Sequence, residues 1–219
     1  IPNRGPSTTP TPSPANESSM KKANAVAKWP TAKTKNGKSR NGTNGEAFHA
    51  VERLVARKNW SKARAAIQEL LVYHPADHWL WMHLGATYYE QKEYDKALKC
   101  CEHAVQLRPD CPLAMWHYAG SLHMAGRSSA ALTIWTSILN FDLDTIAYGE
   151  HGEGMDWALQ LVNDVHFRMG RCYEHLGNLD LAKKSFEKYL HNRRHGVGSL
   201  YEAKIAQSHF DTINRALAG

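Results

Sequence analysis

The residues of this chain that could do chemistry are thirteen histidines, four cysteines and one carboxylate-rich turn, and their spacing limits what that chemistry can be. Glu150, His151, Glu153 and Asp156 offer oxygen and imidazole ligands within one short stretch, the kind of set that holds a divalent cation. They alternate with Gly149, Gly152 and Gly154, and a glycine-rich acidic loop of this kind is satisfied by water, so no metal is expected there. Cys100, Cys101, Cys111 and Cys172 fall into no ligand spacing such as C-x2-C, and they read as small buried thiols in a reducing cytoplasm. The N-x-S/T matches at Asn16, Asn41 and Asn59 come without a secretory signal and carry no expectation. The chain contains no G-x-S-x-G, no glycine-rich phosphate loop and no H-E-x-x-H, and no cysteine–histidine arrangement has a supporting context. The expectation is a protein that is not an enzyme and uses no cofactor.

The elements that must position these residues are helices. From His78 to Cys111 two helical patterns are separated by the polar turn Gln91-Lys92-Glu93. Trp81, Leu84, Gly85 and Tyr88 recur at helical spacing in the first, and Ala97, Cys101 and Ala104 in the second. Pro109 stands where the second helix must stop. A glycine inside a helix costs ~1 kcal/mol relative to alanine, so Gly85 implies a packing need: with Ala97 it lets two antiparallel helices approach closely.

This stretch resembles the tetratricopeptide repeat, whose W-x2-L-G-x2-Y…A…P pattern it carries in register. One helix pair cannot bury its apolar face alone, so copies should follow at the same period. Stepping back 34 residues finds Ala63, Ile67, Leu70 and Pro75; stepping forward 34 finds Ala119, Ala131, Trp135 and Ile138. A later copy holds Met169, Gly170, Tyr173, Gly177, Ala182 and Phe186 in register. The expected repeats span 44–77, 78–111, 112–145 and 163–196, with an insertion at 146–162 whose first half is a flexible loop. Asp156 caps the helix that follows, which should run about two turns longer than its counterparts. Ser199-Leu200-Tyr201-Glu202 reads as a capping box for a terminal helix over 199–217, with Ala206, Phe210, Ile213 and Leu217 as its apolar stripe. The resemblance implies an all-α, right-handed α-solenoid of four helix pairs with a C-terminal capping helix, nine helices in all between about 46 and 217.

Residues 1–45 differ in kind. They hold eight basic residues against Glu17, so the tail carries +7 of the chain's +6 and the remainder −1. The segment is Pro-, Ser- and Thr-rich to residue 19, then basic with the single aromatic Trp29, and is expected to be disordered. No apolar run is long enough to cross a membrane or to serve as a signal peptide.

In tetratricopeptide proteins the first helix of each pair lines a concave groove, and residues beside the Trp position point into it. Here those places hold Phe48-His49, Met82-His83, Trp116-His117 and Phe167-Arg168, with Arg171 one turn on from the last. The resemblance therefore implies a groove with an apolar floor, anchored by Met82, Trp116 and Phe167, and a weakly cationic wall. Its partner would be a protein or peptide segment, acidic with apolar anchors. Imidazoles exposed there would gain charge as pH falls from about 7.5 to 5.5. Family members that capture acidic chaperone tails use a clamp of Lys, Asn and Arg. Phe48, Glu52, His83, Leu113 and His117 stand at those places, so that partner class is not expected. The expected function is an adaptor, scaffold or chaperone-like interaction module in the cytoplasm. The alternative is nucleic-acid association through the basic tail, with the repeats as a docking or oligomerisation body.

Overall fold

The computed structural model describes residues 43–219, and among these every regular element is helical. In chain order the helices are α1 Thr43–Ala56, α2 Trp60–Tyr73, α3 His78–Glu90, α4 Tyr94–Leu107, α5 Pro112–Met124, α6 Ser128–Leu139, α7 Leu143–Tyr148, α8 Met155–His175, α9 Leu179–Arg194 and α10 Ala203–Ala218. The tail expectations fall almost wholly outside the described residues, although residues 43–45 already belong to α1.

Four helix pairs, α1–α2, α3–α4, α5–α6 and α8–α9, are closed by one turn used four times. In each the backbone N–H of Asn59, Glu93, Arg127 or Asn178 donates to the carbonyl five residues earlier, on Leu54, Tyr88, Leu122 or Tyr173. The residue before each donor is left-handed: Lys58 at φ 56°, Lys92 at 63°, Gly126 at 79° and Gly177 at 73°. That is the Schellman closure, which satisfies carbonyls that a helix end would otherwise leave without partners. The pairs then stack, α2 on α3, α4 on α5, α6 on α8 and α9 on α10, giving an all-α solenoid of paired helices finished by a capping helix.

Close approach within the pairs follows from the small residues. A Cβ on Gly85 would run into Cys101 Sγ and would lie 3.2 Å from the Ala97 carbonyl oxygen. A Cβ on Gly170 would sit 2.9 Å from the Phe186 ring. Ala97, Ala131 and Ala182 are fully buried, and Leu84 lies in the same core. Trp81 and Tyr88 are half-buried beside that contact; Trp81 Nε1–H donates to the Pro75 carbonyl at 2.8 Å, and Arg64 lies over the Tyr88 ring. Tyr173 is likewise half-buried against the core, and Pro109 is exposed just past the end of α4.

Two expectations about the elements are corrected, and Asp156, expected to cap α8, lies in its first turn behind the N-cap Gly154. There are ten described helices, not nine, because the start of the insertion is not simply a loop. Asp142 caps the short helix α7 by accepting from the Thr145 N–H at 2.7 Å, and Ile146 and Ala147 are buried against α8. Even so, α6 packs directly on α8, so the insertion bulges out without interrupting the stack. The second correction is the start of the capping helix, at Ala203 and not at 199, with no side-chain cap. Ser199 donates instead to the buried Asp164 carboxylate, which also accepts from the Leu200 N–H at 3.1 Å. A buried carboxylate needs donors more than a helix start needs its cap, and the distant partner wins.

Candidate functional site

The first helices of the second, third and fourth pairs, α3, α5 and α8, face a common interior. The clearest sign is Arg168 on α8, whose Nη1 donates at 3.3 Å to Tyr89 Oη on α3, two pairs earlier, and whose Nε donates at 2.5 Å to Tyr201 Oη. Such a span is possible only if these helices line the inside of the curve. Gly120 on α5 adjoins the same place: a Cβ there would meet Tyr89 Cε2 at 3.9 Å.

The expected apolar floor is corrected by burial. Phe48, Met82, Trp116 and Phe167 all belong to the core. Phe48 packs on Trp79 of the next pair, with ring centroids 5.3 Å apart. Trp116 packs edge-on against Trp135 of its own pair at 4.9 Å. Phe167 stacks flat on Tyr201 at 4.2 Å and also meets Phe186 and Tyr189. The side chains of this column are consumed where helices pack together, and these four leave no open apolar floor.

The polar column divides. His49 is exposed and lies 3.0 Å from Glu52. His83 is buried, its ring 3.8 Å from Trp79. His117 is half-buried beside Arg168; burial first, and then that guanidinium, lower its pKa to about 4. It is therefore neutral from pH 7.5 to 5.5, and the pH-dependent charge expected of it is corrected. Arg171 is buried, pairs with Glu174 at 3.3 Å and donates to His209 Nε2 on the capping helix at 2.5 Å. It fastens α10 to α8.

Arg168 remains as the cation of the interior. Its side chain is half-buried, and among the described residues no carboxylate forms an ion pair with it. Glu90 and Asp164 lie near enough to feel its charge. Burial raises the Glu90 pKa, and it brings Asp164 to about 7 against the opposing pull of its hydrogen bonds.

One contact was invisible in the sequence. Cys172 Sγ lies 3.3 Å from His123 Nδ1, which in turn is 3.0 Å from Ser128 Oγ. Burial pushes the thiol up to about 12 and lowers the imidazole to about 3. Both stay neutral, so the pair is a buried hydrogen-bonded contact and not a thiolate–imidazolium couple.

Comparison with known proteins agrees with this architecture. Tetratricopeptide-repeat profiles match residues 78–111 and 164–191, within α3–α4 and α8–α9. No curated protein matches the chain. Among solved structures, a MamA crystal structure aligns with TM-score 0.53 at 16% identity over 79% of this chain and 87% of that one. The MamA RS-1 ArsTM double mutant aligns with TM-score 0.53 at 14% identity over 78% and 92%. The first tetratricopeptide domain of human RPAP3 aligns at 19% identity over 66% and 94%, with TM-score 0.47. At these identities the MamA likeness is one of fold. The motif residues, the turn repeated four times and the two profile matches agree: the chain carries tetratricopeptide repeats, at 78–111 and 164–191.

Proposed function

We propose that this chain is a non-enzymatic protein-interaction module, an adaptor or scaffold, that takes a peptide segment along its inner face with an acidic group of the peptide against Arg168. The observation that carries this reading is the state of Arg168. A guanidinium has five N–H donors in a planar fork suited to a carboxylate. Here two donors are held by the Tyr89 and Tyr201 hydroxyls, which orient the fork without neutralising it. An arriving carboxylate would form charge-assisted hydrogen bonds in a partly desolvated place, where they are stronger than at an open surface. Anchoring is then polar and aromatic, through Arg168, Tyr89 and the edge of His117, because the apolar column is occupied by the protein itself. Since His117 is neutral throughout, its titration leaves affinity unchanged between pH 7.5 and 5.5.

The test is selection of displayed random peptides on the full chain, followed by amide hydrogen exchange with the selected peptide bound. The reading expects peptides bearing Asp, Glu or a required free C-terminus, with added protection on α3, α5 and α8. Peptides without an acid requirement, protecting α2, α4 and α9 instead, would place binding on the outer surface and overturn it.

A further inference from the structure

We infer that His78, Cys111 and His151 form a site for one borderline-soft divalent cation, Zn2+ first, which ties the insertion between α7 and α8 to the second and third helix pairs. The three residues lie far apart in the chain and on three separate elements. His78 is the first residue of α3, Cys111 is the N-cap of α5, and His151 lies in the turn after α7. His78 and Cys111 are buried and His151 is half-buried. Nε2 of His78 and Nε2 of His151 are 2.9 Å apart, and the three ligand atoms all lie within 4.8 Å of one another.

Those distances are close to what a tetrahedral ion requires. With Zn–N about 2.0–2.1 Å and Zn–S about 2.3 Å, ligand atoms stand ~3.3–3.7 Å apart. The two nitrogens are a few tenths of an ångström inside that range, and the sulfur is ~1 Å outside it at most. Small rotations of the side chains close the set. One thiolate and two imidazoles suit Zn2+ and disfavour Mg2+ or Ca2+, which take oxygen ligands. On binding, the Cys111 thiol gives its proton to solvent, and whichever imidazole carried hydrogen on Nε2 carries it on Nδ1. The fourth position is left to water.

The surroundings hold the ligands in place. Arg108 at the end of α4 donates to Glu150 at 2.6 Å and to Asp110 at 3.0 Å. Glu150 precedes His151 and Asp110 precedes Cys111, so one guanidinium straps together the backbones that carry two of the three ligands. The turn is tightened further by the Gly154 N–H, which donates to the Ala147 carbonyl at 2.9 Å. An acidic turn beside the site also favours a cation over its loss to solvent. None of this depends on how the inner face binds peptide.

The experiment strips the full chain with a chelator and titrates it with Zn2+, and with Co2+ as the coloured stand-in. The expected result is one equivalent bound, with a sulfur-to-cobalt charge-transfer band and the strong visible absorption of tetrahedral Co2+. Cys111→Ser keeps a good N-cap residue, so the helix start survives while the thiolate is lost. That variant and His151→Ala should each abolish the charge-transfer band. Each should weaken Zn2+ by more than the roughly 10–100-fold expected for losing a ligand's hydrogen-bond partner. His191 and His195, one turn apart at the end of α9 with rings 4.2 Å apart, are the surface pair that could take metal adventitiously. His195→Ala should leave the titration unchanged. In a second readout, Zn2+ should slow proteolysis within 149–154 in the wild type and not in His151→Ala. Absence of the thiolate band, Zn2+ affinity unchanged in His151→Ala, or cleavage indifferent to Zn2+ would each overturn the site.

Discussion

The turns inside the helix pairs and the two segments outside the repeat pattern are held by different means. Each pair turn is closed by backbone: the same hydrogen bond recurs at Asn59, Glu93, Arg127 and Asn178, whatever the side chains around it. The turn of the insertion at 149–154 and the connector at 195–202 also contain backbone bonds, Gly154 N–H to Ala147 and Val197 N–H to Asn192. They are held in addition by side chains from elsewhere in the chain. His78 and Arg108 reach the insertion, while Asp164 and Tyr189 reach the connector. Backbone closure is local and tolerates drift in sequence. Side-chain closure is specific, and single substitutions or protonation events can undo it. The regular body should therefore break only through its core, and the irregular segments through individual polar groups.

The largest effect should come from Ala97→Glu. Ala97 is fully buried and its carbonyl oxygen lies against Gly85, so a charge there has neither space nor solvent. The cost is expected to exceed ~4 kcal/mol, read by urea denaturation with circular dichroism. Wild-type stability in that variant would refute the close approach of α3 and α4.

Next is the pH dependence of the connector. Burial brings Asp164 to about 7, above its usual value of 3.8. The folded state thus keeps a proton that the unfolded chain releases. The contribution of Asp164 is fully present below about 4 and is lost as pH rises through about 7, at a slope of roughly 1.4 kcal/mol per pH unit. Asp164→Asn keeps an acceptor for Ser199 and Leu200 without titrating. The wild type should lose stability relative to that variant between pH 4 and 7, and parallel curves would show Asp164 ionised in the fold. His123 gives the opposite sign. Held at about 3 by burial, it costs stability as pH falls below 6.5, because only the unfolded chain then takes up the proton.

A smaller effect should follow Arg108→Ala. Its pairs with Glu150 and Asp110 are largely exposed, so global stability should change by less than ~1 kcal/mol. Cleavage within 149–154 should nonetheless become faster, as measured by timed limited proteolysis. A large global loss with unchanged loop cleavage would reverse the assignment.

The smallest effect belongs to a pair turn. Lys92 is left-handed at φ 63°, where the third and fourth pairs have Gly126 and Gly177. Lys92→Gly should stabilise by up to ~1 kcal/mol, because glycine avoids the Cβ clash of that conformation. A loss of stability would mean that Lys92 contributes contacts outweighing the strain.

What was legible in the sequence follows the same division. Gly85 with Ala97 and the 34-residue step revealed the helix pairs, since backbone-closed repeats write their geometry locally. The short helix α7 was hidden because six residues give too little periodicity, and the glycines after it read as loop. Ser199–Glu202 matched a capping box locally, but Asp164, 35 residues earlier, claimed Ser199. Phe48, Met82, Trp116 and Phe167 were readable as apolar, yet their exposure depends on what the next helix or connector lays over them. Tyr201 over Phe167 could not be foreseen from spacing. His78 and Cys111 fall one residue out of step in the 34-residue register, at the starts of α3 and α5, but only the insertion brings His151 to them, and no spacing rule shows that.

The central claim is that the inner face reads an acidic peptide through Arg168. The most direct measurement is calorimetric titration of a selected acidic peptide into wild type, Arg168→Met and Arg194→Met, each shown to melt as the wild type does. Methionine keeps the apolar stem and removes the fork, and Arg194, at the far end of α9, serves as the distant control. The account predicts roughly 10- to 100-fold weaker binding for Arg168→Met, the range expected for lost charge-assisted hydrogen bonds, and no change for Arg194→Met. Equal affinity of wild type and Arg168→Met would contradict it.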